Sequence, residues 1–467
     1  MTADAALTAE SIAELRSQVA GAVFGRDDDD IAAEVACFNR SRTQDPDIVV
    51  GAANEADVAA AVRFAVRHGL PVRVQATGHG SGKPPAGGVM ITTKRLDNVR
   101  IDPQTRLATL GAGVLWQSVV EAAATFDLAP IVGSSVSVGA IGYTLGGGLG
   151  PLARSHGLSS DWARRFRVIT ATGEITTADA HTNTDLFWAL RGGKGGFGVV
   201  TEMTIELAPI PALYAGGLYF EGAENIEAAL RGWAAWLPDA PARVSTSVAL
   251  LRLPDKDDAP DDQPHRSVLH LRFAYPGELA EGERLAAPLR ALAPVQRDTI
   301  AALPLADIRA IHEDPEEPLT LKSFCIELSA LDPELVTAFL QSVGPGSDSP
   351  FFESELRHLG SAVAKDTADT TAAGGREGAL MLRLVATGKA EFPAAAARAA
   401  QLFASAKRLT VPITSVNFAG DMAVPANFDA AWSAPIRDRL AQVRALYDPD
   451  GVFPFGPQQV AALGNLR

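Results

Sequence analysis

The sequence predicts an α+β fold with more than one domain, and three observations support this prediction. The chain has 467 residues, which corresponds to two to three domains at about 150 residues each. Its hydrophobic fraction is 47% and its charged fraction 21%, so the chain can bury a large core. Glycine clusters and a β-α-β pattern occupy the first part, whereas the middle alternates strand-like and helix-like runs, as expected for a sheet covered by helices.

Composition excludes several classes of protein. The chain has 41 basic and 55 acidic residues, a net charge of −14, whereas a nucleic-acid binder needs an excess of cations. No apolar run approaches the roughly 18 residues of a membrane span, and no leader pattern opens the chain. We therefore expect a cytoplasmic protein that binds neither membrane nor nucleic acid. Two cysteines, Cys37 and Cys325, are too few for a disulfide scaffold, and no two of the 8 histidines stand four residues apart, so no metal site is expected.

The elements of the first part follow from local patterns in chain order. An apolar stripe predicts a helix over residues 11–20, and IVVGA, EADVAAAVRFAVRHG and PVRVQAT predict strand, helix and strand. VMITTKRL and RLATLGAG predict two further strands, and LWQSVVEAAATF predicts a helix. FRVITATGEITTA predicts a hairpin that turns at Thr172 and Gly173, followed by the helix NTDLFWALRG and the strand VVTEMTIEL. Pro209 and Pro211 mark a domain boundary.

The middle and the C-terminal part contain a second set of elements. VSTSVALLRL, RSVLHLRFAY, FCIELSAL, FFESELRHLG and GALMLRLVATG predict strands. FPAAAARAAQLFASAKR and SAPIRDRLAQVRALY predict helices. These runs predict a mainly antiparallel sheet with helices packed on it.

The glycines of GKGGFG have the G-x-G-x-x-G spacing of a dinucleotide-binding loop, but their context is wrong. A Rossmann loop lies between a strand and the start of a helix, so that the helix N-terminus faces the pyrophosphate. In this sequence a predicted helix precedes the glycines and a predicted strand follows them. A dinucleotide reductase built on this loop is therefore a weak alternative, which the colour of the purified protein would distinguish.

A second glycine-rich loop, in RVQATGHGSGK, has the better context for a cofactor. A predicted strand ends at Thr77, and the chain then turns through residues 78–82. Successive backbone N–H groups of such a loop can form an anion-binding concavity that suits a diphosphate. His79 lies in this loop beside glycines that leave room for a planar ligand. An exposed loop histidine is the ordinary alternative.

Four motifs together resemble one family of flavoenzymes. They are IVVGAANEADVAAAVRFAVRHGLPVRVQATGHG, GAIGYTLGGGLGPLARSHGLSSD, DLFWALRGGKGGFGVVTEMTIEL and YDPDGVF. In this order they are similar to FAD-linked oxidases of the vanillyl-alcohol-oxidase superfamily, in the berberine-bridge-enzyme-like branch. The resemblance covers residues of about 50–210 and 415–467 and is weaker in between. It implies a two-subdomain PCMH-type FAD-binding domain formed by residues 1–208 and 415–467, with an inserted substrate-binding domain at residues 209–414.

The resemblance also implies how the cofactor is held. His79 matches the histidine that bonds covalently to the 8α-methyl group of the isoalloxazine ring of FAD. Many relatives add a second bond through a cysteine, but this chain has Gly133, Ser134 and Ser135 at the matching triplet, which predicts attachment through His79 alone. The residues implied to contact FAD are Arg73, Thr77, Gly78, His79, Gly80, Ser81, Gly82, Gly133, Ser134, Ser135, Ser137, Val138, Gly139, Gly142, Gly146, Gly198, Val199, Val200, Asn417 and Phe455.

The implied catalytic groups lie on a predicted strand and in the glycine-rich run of residues 133–150, which we call the second glycine tract. In FFESELRHLG, Glu353, Glu355 and Arg357 share one face of a strand. Glu355 and Arg357 match positions that face the flavin in relatives, where a carboxylate acts as a base near neutral pH or anchors a polar substrate. A salt-bridged sheet face is the alternative. Tyr143 is a further candidate from the flavin side, with buried packing as its alternative.

The resemblance implies an oxidase. A small molecule, such as a secondary metabolite or a sugar-like alcohol, transfers a hydride from a carbon bearing oxygen or nitrogen to flavin N5. Dioxygen then reoxidises the flavin and leaves as hydrogen peroxide. Two alternatives stay open: a flavin-dependent oxygenase or rearrangement enzyme of polyketide-type biosynthesis, and a catalytically idle flavoprotein. The sequence does not distinguish a monomer from a homodimer.

Overall fold

A computed structural model describes residues 7–80, 86–253 and 266–457 of the chain. Three main sheets organise these residues, and the helices fill the spaces between the sheets or cover one face of them. Within the described ranges, no helix is long and apolar enough to cross a bilayer.

The first sheet has the predicted β-α-β unit at its centre. Its strands are Ala22–Gly25, Ile48–Gly51, Val72–Gln75 and Val89–Thr92. The last of these lies between the second and third and runs parallel to both. The crossover helix Glu55–Arg67 is capped by Asn54, whose side chain accepts a hydrogen bond from the backbone N–H of Asp57. The helix buries its apolar stripe against the sheet. The third strand, Val72–Gln75, leads into the loop that carries His79.

The second sheet is antiparallel and carries the predicted hairpin. Its strands are Val99–Asp102, Leu107–Gly111, Ala163–Ile169, Ile175–Asp179 and Val199–Glu206. The hairpin prediction is confirmed, because Gly173 has a φ of 76° and the two flanking strands pair directly. The helices beside this sheet are Trp116–Ala124, Ala140–Thr144, Ala153–His156 and Thr184–Leu190. The cluster GKGGFG lies between the last of these helices and a strand, which agrees with the rejection of a Rossmann loop.

The third sheet is the largest and is antiparallel throughout. Its long strands are Leu213–Glu221, Ser245–Leu253, Arg266–Pro276, Leu321–Leu328, Glu353–His358 and Leu380–Thr387. The helices Ala223–Trp236, Leu279–Arg290, Pro333–Val343 and Phe392–Ala406 cover one face. Leu356 and Leu382 belong to the core beneath these helices, whereas their neighbours Glu355 and Arg383 lie on the opposite, polar face. The predicted antiparallel sheet backed by helices is therefore confirmed.

The C-terminal part packs on the glycine-rich first part. Its helices are Pro425–Ala431 and Ala434–Tyr447. Arg444 donates hydrogen bonds to the carbonyl oxygens of Gly193 and Gly195 at 3.1 and 2.9 Å. Tyr447 donates to Asp185 at 3.1 Å. The exact boundaries at residues 208/209 and 414/415 stay predictions.

The sequence missed several elements or placed them slightly wrongly. The predicted helix at residues 11–20 spans Ala9–Gln18, and its cap is Thr8. The strand Leu213–Glu221 was not predicted, because eight of its nine residues are buried and no alternation marks it. The strand Val99–Asp102 is a short partner of Leu107–Gly111 and was also missed.

Candidate cofactor and substrate site

His79 is held between an aromatic ring and two hydroxyl groups. Its ring is parallel to that of Phe38, with centroids 3.7 Å apart. Its Nδ1 is hydrogen-bonded to the hydroxyl of Thr77 at 2.7 Å, and its Nε2 lies 3.5 Å from the hydroxyl of Ser137. Burial lowers the pKa of His79 to about 4. The ring is therefore neutral at physiological pH, and one nitrogen keeps its lone pair.

The loop and the second glycine tract meet at this histidine. Ser137 is hydrogen-bonded to Ser135 at 2.9 Å, so a chain of hydroxyl groups leads from His79 into the tract. Gly139 lies against the end of the strand Val72–Gln75, because a Cβ placed on Gly139 would be 3.2 Å from the Cβ of Ala76. The structure thus brings together Thr77, His79, Ser135, Ser137 and Gly139, all predicted to contact the cofactor.

A second group of predicted residues surrounds Tyr143. A Cβ on Gly133 would lie 2.8 Å from the Tyr143 ring, and a Cβ on Gly146 would lie 2.1 Å from the Oδ1 of Asn417. Asn417 donates from Nδ2 to the carbonyl oxygen of Tyr143 at 2.9 Å. The hydroxyl of Tyr143 is buried and has no hydrogen-bond partner among the described residues. Gly142, one residue earlier, is exposed, and a Cβ there would meet no atom within 4 Å.

The remaining predicted cofactor residues lie around these two groups. Arg73 donates to the carbonyl oxygen of Gly87 at the end of its loop. Gly78 has a φ of 69° and a close contact with Cys37, Gly80 is exposed, and Ser134 and Val138 are partly buried. Ser81 and Gly82 lie outside the described residues.

Four more predicted residues belong to the glycine-rich run of residues 192–198, which we call the third glycine cluster, or lie next to it. Gly198 has a φ of 132° and leads into the buried Val199 and Val200, which pair with the strand Ala163–Ile169. Phe455 packs against Gly195, Phe428 and Trp432. The cofactor contacts of these four residues stay predictions.

The polar face of the large sheet carries a buried cluster of charges. Arg272 donates to Glu355 at 3.0 Å and to Glu353 at 3.3 Å. Arg357 donates to both oxygens of Glu355 at 3.1 and 3.0 Å, and to the carbonyl oxygen of Leu149 at 3.2 Å. Arg383 lies 3.6 Å from Glu353. Leu149 lies within the second glycine tract, so the cluster adjoins the segment predicted to hold the flavin.

Glu355 is a fully buried anion. Burial alone would raise the pKa of this carboxyl group, but Arg357, Arg272 and Arg383 outweigh burial and hold the pKa below its ordinary value. An ionised carboxylate with two direct arginine partners is a poor proton acceptor at neutral pH. Its side chain is 0% exposed, and it lines neither cavity described below. The role of Glu355 as a base stays a prediction; its arginine partners favour instead a carboxylate that orients its neighbours.

His312 is the cavity residue that the sequence did not reveal. It lines a cavity of about 440 Å³ together with Tyr219, Arg272 and Glu353. It also lines a smaller crevice between Arg357 and the segment 149–154. His312 is 5% exposed, and neither ring nitrogen has a hydrogen-bond partner among the described residues.

Burial and neighbouring positive charges keep His312 neutral, and an anion lies beside it. Burial and the nearby guanidinium groups of Arg272 and Arg357 hold the pKa of His312 well below its ordinary value. Its Nε2 lies 4.0 Å from an oxygen of Glu355. A neutral imidazole with unpartnered nitrogens can accept a hydrogen bond from a ligand. No sequence signal marked His312, because it stands in the acidic, proline-bearing run IHEDPEEP, which resembles an exposed loop.

The residues around His79 and Tyr143 fit a flavin. Gly142 borders open space, the hydroxyl of Tyr143 has no hydrogen-bond partner among the described residues, and the ring of His79 is neutral. Glycine walls let the main chain approach a planar ring closely. A cavity of about 440 Å³ on the sheet lies within the range of small-molecule sites.

Comparisons with known proteins show what the chain is similar to. Residues 46–179 match the family model described as an FAD binding domain. The chain is 32% identical to (R)-6-hydroxynicotine oxidase of Paenarthrobacter nicotinovorans over 201 residues, 43% of this chain and 44% of that protein. It is 27% identical to an uncharacterized FAD-linked oxidoreductase, YvdP, of Bacillus subtilis (strain 168), over 95% of this chain and 98% of that protein. The first alignment thus spans less than half of that relative.

A solved structure has the same fold. The structure of the BBE-like 1 protein of Physcomitrella patens superimposes with a TM-score of 0.82 at 19% identity, over 96% of this chain and 98% of that chain. This match confirms the predicted fold class, and the matches in the preceding paragraph confirm the predicted similarity to FAD-linked oxidoreductases.

Proposed function

We propose that this chain, whose residues 46–179 are an FAD binding domain and whose relatives are FAD-linked oxidoreductases, is an oxidase of a small molecule with FAD bonded to His79. In the overall reaction, a carbon–hydrogen bond next to oxygen or nitrogen and the adjacent O–H or N–H bond are lost. A C=O or C=N bond forms, and dioxygen leaves as hydrogen peroxide. Bound FAD would supply the hydride acceptor and the route of the electrons to dioxygen.

The attachment to His79 is supported by the state of its ring. The neutral imidazole is fixed by Phe38 and Thr77, while its Nε2 has only the long contact with Ser137. The new bond replaces a hydrogen on a ring nitrogen and one on the 8α-carbon, and dioxygen takes both hydrogens and two electrons as hydrogen peroxide. Ser134 and Ser135 offer no thiol for a second bond, which supports a single attachment.

The observation that carries the proposal of catalysis is the His312 environment. A buried, neutral histidine, which has no hydrogen-bond partner among the described residues, lines the cavity beside a carboxylate that is 0% exposed. Burying such charges is costly, and clusters of this kind are concentrated at functional sites. In our proposal His312 accepts a hydrogen bond from the substrate hydroxyl or amine and takes up its proton only as the hydride leaves the neighbouring carbon. Glu355 is a positioning residue that favours the resulting imidazolium, while Arg357 and Tyr143 border the site.

The proposal commits to a substrate with an alcohol or amine carbon, and two classes fit this chemistry. One of the relatives is named for 6-hydroxynicotine, which supports a cyclic amine. The polar lining of the cavity, with Tyr219, Arg297 and Glu313, also suits a hydroxylated metabolite. An oxygenase or rearrangement enzyme remains the second candidate, because a proton acceptor next to a flavin serves both reactions.

The test is anaerobic mixing of the purified protein with a panel of cyclic amines, sugars, simple alcohols and phenolic polyketide-like compounds. We expect one class to bleach the flavin absorbance and, after air is admitted, to give one hydrogen peroxide per product. Bleaching without peroxide, with oxygen incorporated into the product, would support the oxygenase. Flavin that no member of the panel reduces, in a protein that chemical reductants do bleach, would support the idle flavoprotein instead.

A further inference from the structure

Lys194 occupies a position that favours glycine. It stands within the run Gly192–Gly196 and has a φ of 69°. Non-glycine residues adopt this left-handed conformation at a cost in free energy, so an observed case invites a search for what the side chain does.

The ammonium group of Lys194 bridges two segments of the candidate flavin site. It donates to the carbonyl oxygen of Gly142 at 2.8 Å and to the Oδ1 of Asn417 at 2.6 Å. Asn417 in turn holds the backbone of Tyr143. The lysine thus connects the third glycine cluster to the helix Ala140–Thr144 and to the C-terminal part. Its contact with the helix is at Gly142, which borders open space.

The charge of this ammonium group is not balanced by the protein. Both of its partners are neutral, and no carboxylate forms an ion pair with it within the part of the chain that the structure describes. Burial lowers the pKa of Lys194 to about 8, so most of the groups are still charged at pH 7. An ammonium group has three donors, and two are used here. Lys194 is half-buried, and a cation that is partly removed from water without a counter-ion is favoured when a ligand brings the negative charge.

We propose that Lys194 is a positioning residue that stabilises the negative charge gained by the isoalloxazine ring on two-electron reduction. The inference rests on the proposed function only for the presence of FAD. The backbone around Gly142 and the ammonium group together present donors and positive charge to one side of the site, where they favour the reduced cofactor. Lys194 thereby makes the bound flavin a stronger acceptor for the substrate hydride.

The test compares Lys194→Met and Lys194→Gly with Lys389→Met, whose lysine is exposed on the surface. Each purified flavoprotein is reduced at pH 7 in equilibrium with a dye of known potential. We expect both Lys194 variants to lower the equilibrium constant for two-electron reduction at least tenfold, which equals a fall of about 30 mV. Lys389→Met should match the wild type. Lys194→Gly relieves the left-handed conformation, so a folding defect is not expected to obscure the result.

Other outcomes would overturn the inference. An unchanged potential in both Lys194 variants would show that the ammonium group does not act on the ring. A lower flavin content with an unchanged potential would place its charge at the pyrophosphate instead. A wild-type protein without flavin would contradict the proposed function itself, and the two failures are therefore distinguishable.

Discussion

At the scale of single residues, the site depends on side chains whose charge is set by their neighbours. Burial alone keeps His79 neutral, whereas burial and arginine residues together keep His312 neutral. The same arginine residues keep Glu355 ionised. One cluster therefore places a proton acceptor beside an anion, which is the arrangement that oxidation of an alcohol or amine requires.

Replacing His312 by glutamine tests this arrangement. Glutamine retains hydrogen-bonding groups but does not take up a proton, so we expect anaerobic flavin reduction by the substrate to slow by roughly 100-fold or more. Flavin content should stay unchanged. The exposed His181, changed in the same way, serves as the control. Because the pKa of His312 lies below its ordinary value, the wild-type rate should be constant above about pH 6.5 and fall only in more acidic solution. A full rate in His312→Gln would refute its role.

The candidate site was predictable from the sequence only where backbone makes it. Glycine tracts mark a close approach of the main chain, and they led to His79, Gly142 and Gly146. His312 and Phe38 were missed, because their roles depend on contacts with residues distant in the chain. One charged partner of Glu355 was missed for the same reason: Arg272 lies on a different strand, and its effect on the carboxylate pKa is not visible in local sequence.

At the scale of elements, the second glycine tract and its short helix form the wall of the site. Two glycines of this wall face different surroundings. Gly146 faces Asn417, whereas Gly142 faces open space. Their substitution by alanine should therefore have different consequences.

Gly142→Ala should lower flavin content without destabilising the protein. Alanine is favoured in a helix by up to about 1 kcal/mol over glycine, and its methyl group meets no protein atom, but it would enter the space that we assign to the flavin. Gly146→Ala should reduce both flavin content and the free energy of unfolding, because its Cβ would lie 2.1 Å from Asn417. Absorbance gives the flavin content per chain, and urea unfolding gives the free energy of unfolding. Both are best measured in a His79→Ala background, where FAD can be removed. Undiminished flavin in Gly142→Ala would place the cofactor elsewhere.

Elements with alternating or periodic patterns were predicted well, and those without them were not. The hairpin at Gly173 and the strand Glu353–His358 have clear local signals. The strand Leu213–Glu221 is buried on both faces and contains Gly216 and Gly217, so neither alternation nor β-propensity marks it. Tertiary burial, rather than local preference, determines this strand.

At the scale of the whole molecule, one buried carboxyl group joins the large sheet to the C-terminal part. Glu327 lies on the strand Leu321–Leu328, and its Oε1 accepts the backbone N–H of Ser415 at 3.0 Å. It packs against Gly375 and Gly378 and has no basic partner among the described residues. Burial raises its pKa to about 7, so the folded protein favours the protonated form.

This raised pKa predicts how stability depends on pH. The folded state binds the Glu327 proton more tightly than the unfolded state does, so the stabilising effect is complete below the unfolded pKa of about 4.3. It is lost as the pH rises through about 7. Glu327→Gln should remove this part of the dependence, and the variant should gain stability relative to the wild type as the pH increases across this window. Urea unfolding of both proteins at several pH values measures the difference, and parallel pH profiles would contradict the prediction.

Glycine clusters mark the first part of the sequence and strand runs mark the middle, but the division of the chain into domains stays a prediction. How these parts meet is not visible in the sequence, since it depends on long-range contacts such as those of Arg357 with Leu149 and of Arg444 with Gly193.

The most direct test of the central claim, that FAD is bonded to His79, is the intact mass of the denatured chain. We predict that the wild type carries the added mass of one FAD less two hydrogens. His79→Ala should have only the mass of its polypeptide, because any FAD that the folded variant binds is dissociable. His181→Ala, at an exposed position, should keep the added mass. A wild-type chain without added mass, or an adduct that survives in His79→Ala, would contradict the account.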